Sequence, residues 1–257
     1  MVLSTVKKYL KDQLRTYMFG TMRGKKKRTF LLRGAPGIGK SDIWRQAIDE
    51  LSKENQQRLN NMGAEKIESE DCRIVLYNPI DIKGAPSVEN GHTKYNPVEK
   101  FSFDDKPRLL VFEEFDKGPK DVQNAALEVI YDYAIDGKPL PKNTVIMGTA
   151  NRISDNAYSI PMSNAIKAGR LAILEVEFNQ TEFLNYADKH MHPIITSFLH
   201  NDLYSHFCYE STKAETLGNK PYACPRSWEM ASDLIYDIIL RNGDILDNSK
   251  YTIVEIS

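Results

Sequence analysis

The chain has 257 residues, enough for one large core or two subdomains, and 41% hydrophobic with 27% charged residues is the balance of an ordinary water-soluble protein. A formal net charge of −1 and a pI of about 6.5 exclude the strongly basic global field of a dedicated nucleic-acid binder. Cys72, Cys208 and Cys224 form no Cys-x-x-Cys pair and no zinc pattern, the N-terminus lacks a signal-peptide apolar core, and no run approaches a membrane span. The expectation is a cytoplasmic protein with no membrane association.

In chain order, residues 3 to 17 place Leu3, Val6, Leu10, Leu14 and Tyr17 on one helical face, which predicts a packing helix ahead of the core. Arg23 to Arg28 is a basic run that either touches nucleic acid or forms a solvated loop. Thr29 to Arg33 reads as a buried strand. It is followed by Gly34-Ala35-Pro36-Gly37-Ile38-Gly39-Lys40-Ser41, which fits the phosphate-binding pattern G-x-x-x-x-G-K-[ST]. Ser41 to Leu51 then reads as a helix burying Ile43, Trp44, Ala47, Ile48 and Leu51. Glycines let the loop close tightly, so that successive N–H groups can face phosphate oxygens at a helix N-terminus. In that pattern Lys40 reaches the β- and γ-phosphates, and the Ser41 hydroxyl is a ligand for Mg²⁺.

Glu50 to Asp71 is polar, with Asn60-Asn61 and Gly63 as breakers, and Arg73 to Tyr77 reads as a second buried strand. Ala85 to Lys100 follows as an irregular polar stretch with Asn90-Gly91 as a hairpin tip; it is either a functional loop or a solvated one. Arg108 to Phe112 is a third buried strand, ended by Glu113-Glu114. Pro119 to Tyr133 is a helix with Pro119 at its first position, and Asp136-Gly137 marks a second hairpin in Ala134 to Leu140. Thr144 to Ala150 is a fourth strand ending at Asn151, Ser163 to Ala168 a short helix, and Leu171 to Phe178 a fifth strand. Alternation of strands and helices predicts a parallel sheet covered on both faces. Beyond Phe178 the patterns at 181–189, 193–208 and 227–240 are all helical, which sets a boundary near residue 178. His190, His192, His200 and His206 lie there without the spacing of a metal-ligand set.

Binding a nucleotide is not hydrolysing it. Two carboxylates at the end of a buried strand supply the difference: one orients the Mg²⁺ shell and the next polarises a water for attack on the γ-phosphate. Glu113 and Glu114 fit these posts, and Asn151 fits a polar residue that holds the water from the neighbouring strand.

Together these segments resemble an AAA+ ATPase, and within that group the MoxR-type ATPases. The resemblance runs from the first strand to Ile235. Gly34 to Ser41 matches the P-loop, Asp81-Ile82-Lys83-Gly84 a D-x-x-G segment after the second strand, and Leu109 to Glu114 the Walker B strand. Gly148 to Arg152 matches sensor 1, and Ile166 to Leu171 resembles the arginine-finger segment. Pro225-Arg226-Ser227-Trp228-Glu229 matches the Pro-Arg pair that opens a lid helix as sensor 2. The P-loop is common to many families, whereas the ordered set is specific. The resemblance implies a P-loop NTPase fold: a three-layer αβα sandwich with a five-stranded parallel sheet in residues 1–178, and a small helical lid in residues 179–257. It also implies ATP and Mg²⁺ as ligands, with Ser41 and Glu113 toward the metal. Glu114, Asn151, Arg226 (in cis) and Arg170 (in trans, toward a neighbour's nucleotide) carry the catalysis. A trans finger implies a homo-oligomeric ring or spiral, hexameric by resemblance. The stretches 85–100 and 134–140 then become inserts facing the pore or substrate, with His92, Lys94 and Tyr95 as contact residues.

One departure stands out. The first Walker B carboxylate is normally Asp, and here it is Glu113. The extra methylene moves the carboxylate relative to a metal that demands near-octahedral geometry, so hydrolysis is expected to be more affected than binding. Three functions fit. The first is an ATP-driven enzyme that remodels a protein partner, which for MoxR-type ATPases is often a von Willebrand A-domain protein. The others are a nucleic-acid motor or helicase loader, and a nucleotide-gated scaffold with weak hydrolysis.

Overall fold

The computed structural model describes residues 1–20, 27–101, 104–152, 171–210 and 222–242, the side chains of the last two excepted. They form two compact units, one comprising Leu3–Gly34 and Lys40–Val176, the other Ala35–Gly39 and the chain from Glu177 onward.

The first unit is built on a five-stranded sheet of β1 (Thr29–Gly34), β2 (Glu68–Arg73), β5 (Arg108–Glu113), β8 (Thr144–Ala150) and β9 (Leu171–Val176). The spatial order is β2-β5-β8-β1-β9, and every pair is parallel. β5 and β8 are buried along their whole length, and their central apolar runs, Leu109–Phe112 and Val145–Met147, suit strands covered on two faces. Alternation within β1 divides those faces. Phe30 packs under helix α1 (Leu3–Phe19), its ring centroid 5.8 Å from Tyr9 and 6.0 Å from Tyr17. Leu31 joins the opposite core with Leu110, Phe112, Ile146 and the apolar side of α5 (Lys120–Asp132). The αβα sandwich with a five-stranded parallel sheet is therefore the observed architecture.

Helix α1 lies along α2 (Lys40–Glu54), joined by a ladder of charge: Lys7 to Glu50 at 2.8 Å, Lys11 to Glu50 at 2.7 Å and to Glu54 at 2.6 Å, and Arg15 to Glu54 at 2.7 Å. The lysines and the arginine hold both glutamates below the usual carboxylate range. Lys27, from the basic run, is engaged inside the fold. Its Nζ donates to the carbonyls of Lys142 and Thr144, and burial pushes its pKa down to about 8.

Several expectations need correction. The second strand is not 73–77 but β2 at Glu68–Arg73, and Ile74–Leu76 is a 3₁₀ turn. β2 is an edge strand, so its Glu, Ser and Asp side chains can reach water and the apolar signal that marks a central strand is missing. The polar stretch before it also contains α3 (Gln56–Asn61). A further short helix, α4 (Pro79–Lys83), follows the 3₁₀ turn. The 85–100 region is not irregular: β3 (Ala85–Glu89) and β4 (His92–Asn96) form a hairpin whose tip residues Asn90 and Gly91 both have positive φ, as a two-residue primed turn needs. A second hairpin pairs β6 (Ala134–Ile135) with β7 (Lys138–Pro139) around Asp136-Gly137. Pro119 is the N-cap of α5 rather than its first residue. The short helix expected at 163–168 lies outside the described residues.

The second unit is helical among the described residues, with α6 (Gln180–His190), α7 (Pro193–Leu199) and α8 (Pro225–Asn242). α7 stops at Leu199, and only a 3₁₀ turn over Ser205–Cys208 follows, so the single helix expected over 193–208 is two pieces. Phe183, Ala187, Met191, Ile195, Leu199, Cys208 and Ala231 form its core. No helix among the described residues is long and apolar enough to cross a membrane.

Candidate functional site

In a parallel sheet all strands end on the same side, so loops leaving β1, β5 and β8 share one edge. These three are neighbours, in the order β5-β8-β1, and they carry the P-loop, Glu113-Glu114 and Asn151. The site is a consequence of topology before any side chain is placed.

Gly34 ends β1, and Lys40 opens α2. Between them Ala35 and Ile38 are buried, and Gly37 and Gly39 take φ of 76° and 98°, which only glycine adopts freely. Lys40 is 9% exposed, yet its ammonium is satisfied: Nζ donates to the Gly34 carbonyl at 2.8 Å and to Asn151 Oδ1 at 2.9 Å. Two expected site residues, one opening α2 and one just after β8, therefore meet directly. In the second unit the Gly37 carbonyl accepts a hydrogen bond from the Arg226 backbone N–H at 3.3 Å. Arg226 is the second residue of α8, which begins at Pro225.

Glu113 is 5% exposed and its carboxylate is bonded on both oxygens, by Trp44 Nε1–H at 2.8 Å and by the Thr149 hydroxyl. Glu114 is different. Its backbone is left-handed (φ 53°, ψ 44°), its N–H donates to Thr149 Oγ1 at 3.1 Å, and its half-exposed carboxylate pairs with Lys117 Nζ at 2.7 Å. A non-glycine residue in this region carries backbone strain, and such strain concentrates at functional positions. Asp116, 2% exposed, accepts the Asn151 N–H on Oδ1 at 3.1 Å and so fixes the backbone that presents the Asn151 amide.

Trp44, Thr149 and Asp116 were not singled out for these roles by sequence reasoning. The signal for the first two was periodicity. Trp44 is three residues beyond Ser41 on one helix, and Thr149 two before Asn151 along one strand direction, so each shares a face with a motif residue. Arg170 lies outside the described residues.

A Mg²⁺ ion accompanying nucleotide would find hard oxygen donors at Ser41 and Glu113, and the Glu113 carboxylate keeps acceptor capacity beyond its two hydrogen bonds. Among the described residues no group of three or more His, Cys, Asp or Glu side chains is placed to hold a metal by itself. The histidines of the second unit have other partners: His192 Nδ1 accepts the Ile194 N–H at 3.2 Å, His200 pairs with Asp188 at 2.8 Å, and the rings of His190 and His206 lie tilted against Tyr186 and Phe207.

The chain matches the family described as AAA domain, dynein-related subfamily, over residues 29–160. Among solved structures, two Thermotoga maritima RuvB mutants align with TM-scores of 0.50 and 0.51 at 19% and 18% identity, covering 94% and 93% of this chain. PCH-2 of C. elegans aligns with a TM-score of 0.50 at 13% identity, over 91% of this chain. The chain spans 64% of the length of each RuvB chain and 63% of PCH-2. At these identities the likeness is one of fold. No curated protein matches the chain.

Proposed function

The chain belongs to the dynein-related AAA domain family, an AAA+ ATPase family, and on that premise we propose that it is a MoxR-type ATPase that binds ATP with Mg²⁺ and hydrolyses it to remodel a protein partner. The observation that carries this reading is the meeting of Lys40 with Asn151 beside Glu113 and Glu114 at the ends of three adjacent parallel strands. Lys40, whose partners include the neutral oxygens of Gly34 and Asn151, would exchange these for phosphate oxygens. Ser41 and Glu113 would hold Mg²⁺, which supplies charge neutralisation at the phosphates when bound. Glu114 orients and deprotonates the attacking water once it leaves Lys117, and Asn151 steadies that water. Arg226 and Arg170 stabilise charge on the transferring phosphate, Arg170 from a neighbouring subunit of a ring or spiral. The hairpin β3–β4, with His92, Lys94 and Tyr95 exposed, contacts the substrate. The partner is a protein, of the von Willebrand A-domain type, in a cytoplasmic setting; a net charge of −1 speaks against a nucleic-acid motor.

A nucleotide-gated scaffold is the second reading, favoured by Glu113 in place of Asp and by the Glu114–Lys117 ion pair. One experiment separates the two. Lys40→Ala loses ATP binding in calorimetry, and Glu114→Gln keeps it, loses phosphate release and retains protein partners in a pulldown. Wild-type protein that binds ATP without releasing phosphate supports the scaffold; undiminished ATP affinity in Lys40→Ala defeats both readings.

A further inference from the structure

Glu113 has one more rotatable bond than aspartate, and a free glutamate carboxylate spreads over several rotamers. In this fold that freedom is removed. Trp44, on α2, donates Nε1–H to Oε1 at 2.8 Å, and Thr149, on β8, donates its hydroxyl to Oε2. The direction of the second bond is forced. A carboxylate oxygen can only accept, so the Thr149 hydroxyl proton goes to Glu113 while Oγ1 accepts the Glu114 N–H at 3.1 Å, and one threonine ties the side chain of one glutamate to the backbone of the next. Trp44 and Thr149 are each 2% exposed, so water does not compete for these bonds. Both donors are neutral. They fix the carboxylate without cancelling its charge, which an ammonium in the same place would do. Because Trp44 follows Ser41 by three residues on one helix, the clamp is carried by the same helical turn as the hydroxyl expected to face the metal.

We propose that Trp44 and Thr149 are positioning residues that clamp the Glu113 carboxylate, and that this clamp is what lets a glutamate serve Mg²⁺-nucleotide where an aspartate is usual. The inference rests on the ATPase reading above. The test is ADP calorimetry with EDTA and again with Mg²⁺, on protein whose thermal midpoint is also measured. Wild type gains affinity on adding Mg²⁺. Trp44→Phe keeps the ring and Thr149→Val keeps the shape. Each cuts that gain at least about tenfold, the low end for losing a hydrogen bond to a charged group, while affinity in EDTA stays within about twofold. Thr149→Ser restores it. In a Glu113→Asp background the clamp has lost its target, so Trp44→Phe changes the gain by less than about twofold, a non-additivity expected only of directly coupled residues. Independently of folding yield in any variant, the Trp44 indole N–H resonance of ¹⁵N-labelled wild type moves when Mg²⁺ is added to the ADP complex. The proposal is overturned if the variants keep the wild-type gain, if the loss is as large with Glu113→Asp, or if the resonance stays still. Wild type that binds no ADP at all defeats the ATPase reading and this inference with it.

Discussion

Gly37 has no side chain and no room for one. Its φ of 76° is costly for any residue with a Cβ, and a Cβ there would lie 2.7 Å from Cys224 Sγ and 3.3 Å from Cys224 Cβ. The two penalties are separable. Gly37→Ala should lower stability by about 1–3 kcal/mol from the backbone conformation alone, with the contact adding to it. Cys224→Ala removes the sulfur, so the double variant should recover the contact part and keep the φ part. Thermal unfolding of the four proteins checks this; full recovery in the double variant would mean that the loop tolerates a Cβ and that its glycine answers only to packing. The same residue-by-residue logic explains what the sequence made legible at the site. The places of Lys40 at the start of α2, of Glu113 at the end of β5 and of Asn151 just after β8 were readable because motif spacing reports them. The partners that hold them were not. Trp44 read as one more apolar helix position, although its ring nitrogen is bonded to Glu113, and nothing in the residue pattern reports that Asp116 is buried and accepts the Asn151 N–H. Periodicity gives a face; it does not give the atom at the end of the side chain.

At the scale of elements, α1 lies ahead of the segment matched by the family, at residues 29–160, yet it belongs to the core unit. Two kinds of interaction attach it, and their magnitudes decide which matters. Leu10 is fully buried, and truncating such a leucine costs about 2–5 kcal/mol. Lys11 bridges Glu50 and Glu54, but both glutamates are more than 40% exposed, and exposed pairs contribute about 0–1 kcal/mol each. Leu10→Ala should therefore lower the denaturation midpoint far more than Lys11→Ala, and only the latter effect should shrink with added salt. Equal losses would make α1 an electrostatically held appendage instead of a part of the core. Legibility follows the same division. β5 and β8, buried on both faces, were read with boundaries good to a residue, because their central runs Leu109–Phe112 and Val145–Met147 are unbroken apolar sequence. β2 was misplaced because an edge strand releases that requirement: Glu68 to Asp71 are polar, and the apolar run after them, Ile74-Val75-Leu76, turns out of the sheet with Leu76 73% exposed. The hairpin at Asn90-Gly91 was readable because turn chemistry, unlike burial, is local.

The whole molecule raises the question of where the remaining positive charge comes from. In the first unit Lys40 is a cation at the strand ends that carry the site, bonded to the Gly34 carbonyl and to Asn151. In the proposed mechanism ATP binding uses that lysine, but charge developing on the γ-phosphate during hydrolysis needs a further donor. An arginine finger supplies roughly 10³–10⁵ in rate in GTPases. The proposed donor is Arg170, reached from a neighbouring copy. If so, Arg170→Ala should bind ATP nearly as tightly as wild type and hydrolyse it at least about tenfold more slowly, about 1.4 kcal/mol of barrier. Specific activity of wild type should rise with protein concentration, since each site is completed by a second chain. The decisive measurement mixes two inactive proteins. Arg170→Ala supplies an intact P-loop and Lys40→Ala an intact finger, so a mixed assembly contains some complete sites and phosphate release should partly return. A donor acting within one chain cannot produce that result, because neither variant holds both groups. No return of activity, with a rate independent of concentration, would make Arg170 a residue of its own subunit and leave the assembly without a catalytic reason.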